Sequence, residues 1–206
     1  MTTEKLYFYP VWLRIWHGFN ALGILILIIT GISLHWSGDS QLIYFKTSVV
    51  LHNIAGIVVS VSYLLFFLGN LLTPNGLQYQ VKMKGLGKRL MKQGRYYLVG
   101  MFKNEEPPFP LSQKRKFNPL QKYSYIAVMY LFVPLLVISG LALMFPEMII
   151  ERVYHVSGIF LTAILHSVLG FLVSIFLIIH LYVASIGKNP LKNFKSIITG
   201  WHEVQH

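Results

Sequence analysis

Leu165-His166-Ser167-Val168-Leu169-Gly170 and, further along, His180-Leu181-Tyr182 lie in one apolar run, 153–187, that contains no Asp, Glu, Lys or Arg. A helix needs about 20 apolar residues to cross the hydrocarbon core of a bilayer, so this run reads as a membrane span carrying two histidines. Histidine is costly there, because lipid supplies no partner for its ring nitrogens. The two lie 14 residues apart, and at about 100° per residue that step falls about 40° short of four full turns. Both rings therefore leave one face of the helix, separated by roughly 21 Å along its axis.

Three further charge-free runs, 15–38, 47–81 and 123–146, are also long enough to cross. With 54% hydrophobic and 12% charged residues, the chain is too apolar for a soluble domain of this length. The expected fold is all-α: one integral membrane four-helix bundle over 1–206, with helices at about 11–36, 47–73, 119–145 and 154–187. Pro134 is expected to kink the third. The first run keeps Trp16, His17 and Asn20 and has no cleavage pattern of small residues, so it reads as a retained helix.

The formal charge is +11, and its placement is informative. Eleven of 18 Lys and Arg fall between Gly76 and Lys122, three more follow the last span (Lys188, Lys192, Lys195), and Lys5 and Arg14 lie near the start. The other two connections hold only Lys46 and Arg152, beside Asp39, Glu147 and Glu151. By the positive-inside rule both ends and the basic loop between helices 2 and 3 are expected in the cytoplasm. The excess charge is read as orientation and contact with anionic lipid, with no nucleic acid as partner. Within that loop, 81–103 mixes basic and apolar residues and suits the membrane surface, and Glu105-Glu106-Pro107-Pro108-Phe109-Pro110 reads as a stiff linker. The turn Ser37-Gly38-Asp39 and the break Asn189-Pro190 bound the first and last helices.

Chain direction assigns depth to the remaining histidines. His52 opens helix 2 and His166 lies in the first half of helix 4, and both helices start outside. His17 opens helix 1, which starts inside, and His180 lies in the half of helix 4 that ends inside. Two bis-histidine pairs at two depths match the needs of two non-covalent b-type haems. Cysteine is absent, so thiolate metal sites, iron–sulfur clusters and thioether-linked haem are excluded. Leu51-His52-x-x-x-Gly56 and Leu165-His166-x-x-x-Gly170 each put a bare backbone patch one turn beyond an outer histidine, where a flat macrocycle can press. Gly31 follows His17 by the same 14-residue step and is expected against the outer group. His35 and His155 stand at outer helix ends, His155 being the strongest rival to His166. His202 and His206 are expected to be solvated.

With Arg14-x-x-His17, Gly31-Ile32-Ser33, Phe117-Asn118-x-x-Gln121-Lys122 and His180-Leu181-Tyr182, these motifs resemble the di-haem cytochrome b (gamma) subunits of membrane-bound formate dehydrogenases. The chain is less closely similar to those of NiFe hydrogenases and thiosulfate reductases. The resemblance implies the pairing His52 with His166 and His17 with His180 as haem-iron ligands. It also implies a menaquinone or ubiquinone pocket beside the inner haem, lined by Asn118 and Gln121. Asn118 before Pro119 is equally a sound helix N-cap, and Leu120 stands where those relatives carry glycine. The implied partner is an extracytoplasmic iron–sulfur or multihaem cytochrome subunit, and the implied location is the bacterial inner membrane. The competing readings are a haem-bearing anchor without quinone turnover and a haem-free metal transporter that uses the histidines. A transmembrane ferric reductase fits less well, since that class places two histidines on each of two helices.

Overall fold

A computed structural model describes residues 3–36, 42–112, 115–186 and 191–205. In chain order these form strand β1 (Thr3–Tyr7) and the helices α1 (Val11–His35), α2 (Phe45–Leu72) and α3 (Leu86–Arg95). The third apolar segment is built from α4 (Pro119–Ala127), a π-helical turn (Val128–Phe132) and α5 (Val133–Met144). A small hairpin of β2 (Arg152–Val153) and β3 (Val156–Ser157) leads into α6 (Gly158–Ser185), and α7 (Lys192–Thr199) and β4 (Trp201–Gln205) follow. The four long apolar helices lie where expected. The turn at 37–41 and the break at 187–190 lie outside the described residues.

Three expectations about the elements are corrected first. The fold is mostly helical but not purely so, since it contains two short antiparallel sheets, β1 with β4 and β2 with β3. Seven α-helical segments are present among the described residues, because the basic loop and the C-terminal region form helices of their own and a π turn divides the third span. The fourth span begins at Gly158 rather than near 154, because the chain first turns back through the β2–β3 hairpin. The Gly158 amide donates to the Glu151 carbonyl at 3.0 Å, the Ser157 hydroxyl accepts from the Phe160 amide, and the Ile150 carbonyl leaves no room for a side chain at Gly158.

Each long helix has the length and composition to cross a membrane, and only 11–22% of its most apolar window is buried within the protein. The apolar surface therefore faces outward, and small polar residues sit inside, as is usual where helices pack in lipid. Ser48, Thr30, Ser33 and Phe66 are the most deeply buried. Each hydroxyl donates to a carbonyl near it in the chain, as Thr30 does to Ile26 at 2.7 Å and Ser33 to Ile29 at 3.1 Å.

The helices pack as two pairs. α1 lies along α2: Gly23 meets Val59, Gly69 meets the Trp12 ring, Trp16 stacks on Phe66 at 4.3 Å, and Trp16 Nε1 donates to the Ser62 carbonyl. α5 packs on α6 around Val128, Val133 and Val173. Pro134 lacks an amide and crowds the preceding turn, and the π turn directly before it widens the helix at that point. Between the pairs contact is slight, α1 barely touching α6. The halves touch through Ile24 and Tyr63 against the Val128–Val133–Val173 cluster and through Asn70 donating to the Tyr130 hydroxyl at 3.0 Å, and the slot between them is the space across which the histidine rings stand.

At one end of the slot β1 pairs with β4, from Thr3↔Gln205 to Tyr7↔Trp201, so the two ends of the chain lie on the same side. His202 is buried there, not solvated: it stacks on Phe8 and its Nδ1 lies 2.9 Å from the Ser196 hydroxyl. His206 lies outside the described residues. Beside this sheet Lys116 is buried, with its ammonium 4.3 Å from the centre of the Tyr9 ring and 3.2 Å from Asn75 Oδ1. Burial pulls its pKa down to about 7 and pushes that of Tyr9 up to about 12.

Candidate functional site

Each half of the fold contributes histidines to the slot, and they meet in the expected pairs. The His52 and His166 rings face across it with centroids 6.2 Å apart, and those of His17 and His180 at 6.3 Å. His155 is exposed in the β2–β3 turn and His35 is exposed against Trp36, so neither joins a pair.

The outer pair is held by a repeated device. Thr30 Oγ1 lies 2.9 Å from His52 Nδ1, and Ser139 Oγ lies 2.9 Å from His166 Nδ1. Both hydroxyl protons are already donated to carbonyls, to Ile26 at 2.7 Å and to Leu135 at 2.6 Å. A hydroxyl has one proton to give, so with that proton on the carbonyl each ring nitrogen is the donor. Nδ1 then carries the hydrogen and Nε2 carries the free lone pair, which is the tautomer a metal needs. The next residue in each case is glycine. A methyl group at Gly31 would stand 3.5 Å from His52 Cε1, and one at Gly140 would stand 3.1 Å from His166 Cε1. Gly31 thus lies against the outer histidine, on the side where the outer group was expected.

At the inner pair, His180 Nδ1 lies 3.2 Å from the Tyr125 hydroxyl, and Phe176 stacks on the same ring at 5.7 Å. Among the described residues His17 and Gly18 border a cavity of 380 Å³ shared with Val11, Arg14, Ile15, Ile197 and Ile198. A side chain at Gly18 or at Gly170 would meet nothing within 4 Å, and one at Gly56 would just touch Leu27.

These features can be tested against a bis-histidine haem. An imidazole nitrogen sits about 2 Å from a metal it ligates, so two rings facing across one metal have centroids roughly 6 Å apart, as both pairs do. That spacing is too long for a direct hydrogen bond between the rings. Hydrogen-bonded Nδ1 groups that fix a ring's tautomer and orientation are the ordinary support of a ligating histidine. The open space at Gly18 and Gly170 and the slot itself suit a flat macrocycle. No carboxylate or thiolate joins either pair, and no cluster of three metal-ligating side chains exists among the described residues. The donor set, two facing imidazoles at each level, suits haem iron.

Asn118 and Gln121 form a reciprocal capping box at the start of α4. Asn118 Oδ1 accepts from the Gln121 amide at 3.0 Å and Gln121 Oε1 from the Asn118 amide at 3.3 Å. Asn118 Nδ2 also donates to the Tyr97 hydroxyl at 2.7 Å. Burial pushes the Tyr97 phenol up in pKa, and that hydrogen bond opposes the shift. Sequence reasoning missed Thr30, Ser139, Gly140, Tyr125 and Phe176. The repeated hydroxyl–glycine step, Thr30-Gly31 and Ser139-Gly140, was the available signal for three of them.

A membrane-embedded bundle with facing histidine pairs and no cysteine defines the class: a haem-b protein of the membrane. Residues 8–200 match the family model described as prokaryotic cytochrome b561, and the chain belongs to that family. It is 35% identical over 201 residues, covering 97% of this chain and 75% of the relative, to the Escherichia coli (strain K12) protein named "Putative cytochrome YdhU". The family makes this a multi-pass membrane protein of b-type haem and electron transfer.

Proposed function

We propose that the chain is the quinone-linked di-haem cytochrome b subunit of a respiratory oxidoreductase, of the kind the formate dehydrogenase gamma subunit represents. Residues 1–206 then act as one unit. His52 and His166 hold the outer haem and His17 and His180 the inner one, with Gly31, Gly56 and Gly170 giving the macrocycles room. The carrying observation is the pair of facing imidazole couples, the outer one with both Nδ1 protons already committed. When bound, each haem supplies one-electron exchange at its iron. The protein's own work is to fix the rings, exclude water from the slot and stack the two pairs along α6, so that electrons cross the apolar layer in steps.

In this reading the basic loop and both chain ends lie in the cytoplasm of a bacterial inner membrane, and an extracytoplasmic iron–sulfur or multihaem cytochrome subunit meets the outer haem. Menaquinone or ubiquinone reacts near the inner one. What supports the quinone contact is proximity: the Asn118–Gln121 box opens the span one turn before Tyr125, and Tyr125 touches His180. Quinone then enters as that local structure opens, because both amides are engaged in the cap.

The test is a reduced-minus-oxidised spectrum with pyridine haemochrome quantitation of the purified protein and of His17→Ala, His52→Ala, His166→Ala and His180→Ala. Two b haems per chain, with one lost on changing either member of a pair, is the expected result. A colourless wild type, or full haem in all four variants, would overturn it. Asn118→Ser keeps a capping oxygen and removes the amide donor. It should slow quinol-linked haem reduction while sparing haem content, whereas an anchor without quinone turnover would show no change.

A further inference from the structure

We infer that Arg14 clasps a carboxylate of the inner haem, so that the C-terminal helix α7 and the haem share one guanidinium; this rests on the reading that His17 and His180 hold a haem. Arg14 lies one turn before His17 on α1, so the two side chains are neighbours on that helix, and both border the 380 Å³ cavity with Gly18, Ile197 and Ile198. The guanidinium has five donors. One of them, Nη1, donates to the Ile198 carbonyl in the last turn of α7 at 2.6 Å, where the negative end of the helix dipole favours a cation.

Among the described residues nothing else answers the group. Arg14 Nε is buried without a hydrogen-bond partner, and among the described residues no acidic side chain is paired with it. A buried Nε–H with no acceptor leaves a donor to be matched, and a carboxylate suits the guanidinium fork in two-point contact. The b-type haem carries two carboxylates on one edge. His17 and Arg14 line the same cavity, so a haem ligated by His17 can turn that edge toward Arg14, past the open flank at Gly18. The geometry also links haem binding to the terminal sheet, since α7 packs on β4.

The experiment is a potentiometric titration of the purified, lipid-reconstituted protein, comparing wild type, R14Q and R14K, with His52→Ala and His17→Ala used to assign each haem. Losing a nearby positive charge should lower the midpoint potential of the inner haem in R14Q and leave the outer haem unmoved, and R14K should recover part of the shift. Hydrogen exchange should show the amides of Ile197–Thr199 protected on haem binding in wild type and not in R14Q. Where R14Q fails to retain the inner haem, retention in R14K supports the clasp, and failure in both overturns it. Unchanged potentials and unchanged exchange in R14Q also overturn it. A wild type without haem at His17 and His180 removes the haem reading itself, and this inference with it.

Discussion

At the scale of single residues, the hydroxyls behind the outer histidines are the most informative targets. Thr30→Val keeps the shape and removes the acceptor that orients His52, and Ser139→Ala does the same for His166. Loss of such a supporting hydrogen bond typically weakens a metal site by about 10–100-fold, so each variant should shed outer haem on dilution or dialysis while the inner haem stays. Thr30→Ser should restore retention, and equal loss of both haems would mark a general packing defect instead. Lys116 gives a second residue-scale prediction. Its folded pKa of about 7 lies below the ordinary lysine value of 10.5, so the unfolded chain holds a proton that the folded chain has released between those limits. Stability should therefore rise from about pH 7 to about pH 10.5, by up to on the order of 5 kcal/mol, the faces of Tyr9 and Phe117 offsetting part of the cost at lower pH. Thermal melting in detergent reads this slope directly, and Lys116→Met should flatten it.

At the scale of elements, the two glycine environments make opposite predictions. A side chain at Gly23 would collide with Val59 across the α1–α2 contact. Gly23→Val should therefore destabilise the protein by about 1–3 kcal/mol, with or without cofactor. Gly170 faces open space. Gly170→Leu should leave the melting of the haem-free protein unchanged and abolish outer-haem uptake, measured by titrating haem into apoprotein; normal uptake would show that the space near Gly170 serves something else. The span positions and the histidine pairing were legible at this scale, because long charge-free runs and a 14-residue repeat are one-dimensional signals. The hairpin before α6 was not, because Val153-Tyr154-His155-Val156 continues the apolar run without Gly or Pro to mark a turn; Tyr154 takes a positive φ there with no residue cue. The π turn before Pro134 was equally hidden, since a local widening of a helix leaves composition unchanged.

At the scale of the whole molecule, topology is the testable claim. Reporter fusions that are active only after export should work when joined near residue 42 or 150 and fail in the 105–110 linker, and the reverse pattern would invert the assignment of inner and outer haems. The expected orientation rests on charge placement alone, and charge placement says nothing of His202, whose burial depends on a strand pairing between distant parts of the sequence. Such pairings carry no local signature, and neither does the gathering of Tyr9, Asn75 and Phe117 around Lys116.

The pairing of β1 with β4 also dictates an order of events during synthesis. Thr3–Tyr7 is made before all four spans and its partner Trp201–Gln205 after them, so the ribbon cannot close until the last span, α6, has been synthesised. His17 waits for His180 in the same way, whereas His52 and its partner are complete somewhat earlier. Translation at about 5–20 residues per second thus separates the completion of the two pairs by about one to three seconds, and closure of the ribbon comes last.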